Sequence, residues 1–140
     1  MSVLELPEGF EPHFRKSGFT DPWEPLYSRV LEDRVQIGLF LGEAHCNSRG
    51  FAHGGLITTL ADNAMGLSCI QKMRSEGREP KGLVTISLST DFLGTGRIGQ
   101  WLVVDTDHVK SGRSVAFARA MVRADGAAIA QASATFKVPE

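Results

Sequence analysis

The sequence has little that would take it out of water or onto a charged polymer. Its 140 residues hold no apolar run near the roughly 20 residues needed to cross a bilayer. Residues 1–10 have no basic segment followed by an apolar one, so neither a membrane span nor an export signal is expected. Basic residues are not in excess: 15 stand against 16 acidic ones, a net charge of −1. A chain so balanced has no field to hold nucleic-acid phosphates or anionic lipid, and neither is expected as a partner. Cysteine is scarce too. Cys46 and Cys69 form no Cys-x-x-Cys pair and are too few for a structural zinc site, so both read as reduced thiols of a cytoplasmic protein. His13, His45 and His108 have no metal-ligand spacing, and no metal is expected.

What is present is the composition of one ordinary globular domain, 42% apolar and 22% charged. Residues 1–25 stand apart as an N-terminal arm, holding four of the six prolines and five acidic against two basic residues. Phe10, Phe14, Phe19 and Trp23 are too many aromatics for a disordered tail, so the arm should pack on the domain or on a neighbouring subunit. The domain itself occupies residues 26–140. There the pattern turns to period two: residues 26–31 and 34–41 read as two short strands joined across Glu32-Asp33. After a loop, residues 54–74 read as a helix, and four strands follow at about 83–93, 101–109, 114–124 and 127–138. Asp125-Gly126 marks a two-residue hairpin, and residues 110–113 a slightly longer turn. One helix among six strands leaves no room for parallel crossovers. The expectation is an α+β fold, an antiparallel sheet curled around a single buried helix.

That helix carries apolar residues around nearly its whole circumference, from Leu56 to Met73, which marks a buried helix. Its one small and polar stripe is Thr58, Asp62 and Gly66. An ionised carboxylate among apolar neighbours costs several kcal/mol unless partnered, so Asp62 is the first candidate for chemistry; the other reading has the stripe facing water or a subunit interface. His53-Gly54-Gly55 opens the helix, where the free backbone N–H groups and the positive end of the dipole form a ready oxyanion hole. The alternative is a plain tight entry turn with His53 as its cap. Asn47 lies just upstream, and Thr85 begins the next strand within reach of a carboxylate or a water.

The resulting spacing, N-x-x-G-x-x-H-G-G-x(6)-D from Asn47 through Gly50 and His53 to Asp62, resembles the hotdog-fold thioesterases of the phenylacetate-degradation (PaaI) type. The resemblance runs in element order from about residue 26 to 138. It implies hydrolysis of an acyl-CoA thioester, with Asp62 as general base or nucleophile and the Gly54 N–H, Gly55 behind it, polarising the carbonyl. Asn47 and His53 would position carbonyl and water, and Thr85 would stand near the water. The turn Lys110-Ser111-Gly112-Arg113 would lie near the CoA phosphates, with Arg49 and Arg97 as further cations. CoA would be part of the substrate, no metal or redox cofactor would be needed, and the assembly would be a homo-oligomer, a tetramer built as a dimer of dimers. Two features depart from the pattern: the long aromatic arm, and Gly94-Thr95-Gly96 where an Arg-Pro pair is frequent. Both bear on which acyl group is cleaved.

Helix geometry adds one expectation of its own. Asp62 follows Gly54 by eight residues, about 12 Å along the axis, so the two cannot reach one thioester carbon within a chain. A two-fold dimer would bring Asn47, His53 and Gly54 of one subunit against Asp62 and Thr85 of the other. The rival readings are a hotdog enoyl hydratase or dehydratase, whose Pro-rich loop after the His is missing here, and a non-catalytic acyl-CoA binding module, against which a carboxylate beside a thioester carbonyl argues.

Overall fold

The structure is a computed structural model and describes residues 5–139. Its elements run β1 (Glu11–Pro12), β2 (Tyr27–Val30), β3 (Val35–Phe40), α1 (Gly54–Ser75), β4 (Val84–Phe92), β5 (Trp101–Ser111), β6 (Val115–Ala124) and β7 (Ala127–Lys137), with short 3-10 turns at Asp21–Trp23 and Glu43–His45. The strands form one antiparallel sheet in the order β1-β2-β3-β5-β6-β7-β4. Between β3 and β4 the chain crosses the inner face of the sheet as α1 and emerges at the far edge. This is the hotdog architecture. No described helix is long and apolar enough to cross a membrane.

The sheet accepts the helix because its central strands present small residues inward. Ala116, Ala118 and Ala120 of β6 and Ala130, Ala132 and Ala134 of β7 are all buried, a floor of methyl groups on which Leu60, Met65 and Met73 of α1 fill the space. On the other side of α1 the arm shares two cavities with the helix: Arg15 lines one with Leu67 and Ile70, and Phe19 and Trp23 line the other with Leu56 and Thr59. Trp23 is partly buried against the core. A second tie is Ser68, whose buried hydroxyl accepts from the Val35 N–H and donates to the Val35 carbonyl, both at 3.1 Å. Ser68→Ala leaves both groups without that partner and is expected to cost about 1–3 kcal/mol in a urea unfolding curve, with the curve's slope unchanged.

Two features of the sequence reading are adjusted. Within the arm Glu11–Pro12 pairs with β2 as a seventh strand, too short and proline-bearing to show a period. Ahead of it Phe10 is buried edge-on against Trp101, ring centroids 5.0 Å apart, over the outer sheet face. Gly38 makes room for that indole, since a Cβ there would collide with the Trp101 ring. Phe14 and Phe19 are exposed. Finally, β5 continues through Ser111, because Lys110 pairs with Phe117 and Ser111 with Ala116. Lys110 is therefore a strand residue, and the turn is confined to residues 112–114. Gly112 belongs to it for a steric reason, as a Cβ there would strike the Val115 carbonyl. The Asp125-Gly126 hairpin stands as expected, both residues at positive φ.

Candidate active site

The loop before α1 is shaped by Asn47. Its side-chain Oδ1 accepts the backbone N–H of Arg49 at 2.9 Å and of Phe51 at 3.1 Å, and its backbone N–H donates to the Phe51 carbonyl at 2.8 Å. Gly50 at φ +79° completes the turn in a conformation that favours glycine. With its oxygen occupied, the Asn47 carboxamide keeps its NH₂ as a donor.

His53 is the N-cap of α1. Its Nδ1 accepts the Gly55 N–H at 2.9 Å, which places the ring proton on Nε2, free to donate. The Gly55 N–H is thus held by the cap, which leaves the Gly54 N–H as the one facing outward from this turn. The Gly54 N–H takes no partner among the described residues and points from the positive end of the helix dipole. Gly54 is also crowded. A Cβ there would lie 3.1 Å from Cζ of Phe92.

Asp62 sits two turns further along. It is half-buried rather than enclosed, which corrects the expectation of a buried anion: Thr58 and Asp62 of the stripe face β4, an edge strand, while Gly66 lies against Phe136 of β7. Thr85 Oγ1 donates to Asp62 Oδ1 at 2.8 Å. The neighbouring stripe residue Thr58 donates to Thr90 Oγ1 at 3.1 Å. Gly54, Thr58 and Asp62 therefore align with Phe92, Thr90 and Thr85 of β4, the strand running opposite to the helix. Sequence reading had no means to see this alignment, which left Phe92 and Thr90 unmarked. Asp62 and Thr85 open onto a cavity of about 140 Å³ walled by Arg15, Asn63, Gly66 and Leu67.

The fold thus brings Asn47, His53 and Gly54 to one end of α1 and Asp62 with Thr85 to its middle. Because α1 is unbroken from Gly54 to Ser75, these groups stay about 12 Å apart along the axis within one chain. Arg113 lines a second cavity, of about 670 Å³, shared with Arg78, Glu79, Ser114 and Pro139. Arg78 lies in the loop after α1 and was not singled out from sequence, where no period places it near residue 113. Arg113 and Lys110 form no ion pair among the described residues. Among those residues no cluster could hold a metal ion. The Cys69 thiol is pushed up to about 12 by burial and the Cys46 thiol is raised by the same cause, so neither is a thiolate near neutrality.

A long helix opened by His-Gly-Gly and wrapped by an antiparallel sheet, with an aspartate hydrogen-bonded to a strand threonine, places the protein among those of hotdog architecture. Residues 49–130 match the Thioesterase superfamily, and the chain belongs to that family. It is 38% identical over 138 residues to a Pseudomonas aeruginosa protein named "Putative esterase", covering 98% of this chain and 100% of that one. A Streptococcus mutans protein solved bound to acetyl CoA superposes with a TM-score of 0.74 at 26% identity, covering 91% of this chain and 94% of that one. The phenylacetic acid degradation protein PaaI from Thermus thermophilus, in a mutant form, superposes with a TM-score of 0.72 at 21% identity, over 88% of this chain and 100% of that one, and shares the fold. The chain is a thioester hydrolase.

Proposed function

We propose that the protein hydrolyses acyl-CoA thioesters at sites shared between two subunits, with Asp62 as the base or nucleophile. The observation that carries this reading is the Thr85–Asp62 hydrogen bond facing an open cavity, on the same rigid helix as the unpartnered Gly54 N–H. Thr85 donates to one carboxylate oxygen and leaves the other free. Its own lone pairs can accept from a water and hold it beside Asp62. The thioester oxygen is received by the Gly54 N–H, with the Asn47 NH₂ and His53 Nε2–H as side-chain donors. As the base, Asp62 takes a proton from water while the hydroxide oxygen bonds to the carbonyl carbon; the C–S bond then breaks and the thiolate leaves. General-base help is worth about 10²–10⁴-fold and an oxyanion donor roughly 10²–10³-fold, without any metal or redox cofactor.

The second subunit is called for by the separation along α1. The free edge of β4 offers the place for it: Val84, Ile86 and Phe92 are each more than half exposed, on a strand with one side unpaired. We read the assembly as a tetramer of two such dimers, working in the cytoplasm. The acetyl CoA bound by the Streptococcus mutans relative supports CoA as the carrier. Release of free thiol from acetyl-, octanoyl- and phenylacetyl-CoA tests the reading directly, and no turnover of any thioester would refute it.

Arg113 and Arg78 line one cavity together with Glu79, and we read the two guanidinium groups as the contact for CoA phosphates. Arg113→Ala is expected to raise KM for a CoA thioester by roughly 10- to 100-fold with kcat much less affected. A truncated pantetheine thioester, lacking the nucleotide, should be almost indifferent to the change. An equal loss on both substrates would point to damaged structure instead.

A further inference from the structure

Between the start of α1 and the N-terminal arm lies a cavity of about 380 Å³ with an apolar lining. Leu56 and Thr59 of α1 form its floor, Cys46 and His53 one wall, and Phe19 and Trp23 of the arm the other. The two arm aromatics meet edge to face, centroids 5.3 Å apart. No Asp, Glu, Lys or Arg lines this space. The wall is held in place by His45, a buried ring whose Nδ1 accepts the Gly42 N–H at 2.8 Å, leaving Nε2 to donate to the Trp23 carbonyl at 2.8 Å. That histidine ties the arm to the loop that leads into the helix. Phe19 projects further out and is 68% exposed.

Gly55 lines the cavity and is the residue after the N–H that receives the thioester oxygen. A Cβ at Gly55 would lie 3.1 Å from Nδ1 of His53, crowding a ring that lines the same cavity. A carbonyl resting on Gly54 is therefore one residue from this apolar space. We propose that this cavity takes the acyl group, and that Phe19 and Trp23 make the N-terminal arm the specificity element, selecting an uncharged apolar acyl chain longer than acetyl. A dicarboxylic acyl group would bring its second carboxylate into a space with no cation and be rejected. This inference rests on the carbonyl position given under the proposed function, and it assigns the arm a task beyond packing on the core.

The test separates binding from turnover. S-octyl-CoA and S-methyl-CoA are thioethers that cannot be hydrolysed, and calorimetry gives the affinity of each for the whole protein. One methylene removed from water is worth about fourfold in affinity. The two compounds differ by seven methylenes, so burial of only about three of them already makes wild type prefer the octyl compound by about fiftyfold, and Phe19→Ala and Trp23→Ala should each lower that ratio by about tenfold. The octanoyl-to-acetyl ratio of kcat/KM should fall in parallel. Phe19 is so exposed that its truncation leaves the core alone, which keeps the test valid if Trp23→Ala fails to fold. An octyl preference absent from wild type, or unchanged in the folded variants, overturns the inference even if hydrolysis is observed. An octyl preference that collapses in the variants, in a protein that turns over no thioester, supports the cavity and overturns the hydrolysis reading.

Discussion

Asp62→Asn is expected to lower kcat by about 10²-fold or more while leaving the fold intact. The substitution keeps volume, and the Asn oxygen can still accept the Thr85 hydroxyl that bonds Asp62 at 2.8 Å, so the local geometry has no reason to change. What is lost is a lone pair basic enough to take a proton or attack a carbonyl. Asp62 forms no ion pair among the described residues, which removes a stability effect as a competing explanation. Circular dichroism and the unfolding midpoint should match wild type. Near-normal turnover would take Asp62 out of the mechanism. Single turnover in heavy-oxygen water then separates its two roles: solvent oxygen entering the acid directly marks a base, and oxygen from the enzyme marks an anhydride formed by a nucleophile.

The second large effect is a recovery. Asp62→Ala and Asn47→Ala chains, each nearly inactive alone, are denatured together and refolded. Random pairing makes about half of the dimers mixed, and in each of those one site carries both lesions and the other none. About a quarter of wild-type activity should return. The structure sharpens the expectation, because Asp62 and Thr85 are bonded within one chain and so travel together, while Asn47, His53 and Gly54 belong to the other end of the same helix. If all the catalytic groups worked within one chain, every site would keep a lesion, and the mixture would stay as inactive as its parents.

Much of this was legible in the residues themselves. The period-two runs and the apolar helix define a sheet around one helix, because alternation and helical spacing follow from local backbone geometry alone. The observed α1 bounds, Gly54–Ser75, differ from the expected ones by a single residue. The His-Gly-Gly cap and the Asp62 spacing are likewise local, since a cap and a helix stripe lie within one element. Errors arose where a contact between elements decides the outcome. Asp62 looked enclosed until its side of the helix was seen to lean on an edge strand.

By itself the sequence determined the fold class, where the helix begins, and which carboxylate and which N–H are candidates for chemistry. Only tertiary structure decided that Thr85 holds Asp62, that Phe92 crowds Gly54, that Arg78 joins Arg113, and that Phe19 and Trp23 of the arm line a cavity with the helix. The physical reason is range. Periodicity and caps involve residues within a few positions of one another, whereas pairings such as Asp62 with Thr85 depend on where β4 lies against α1, which the packing of the whole core decides.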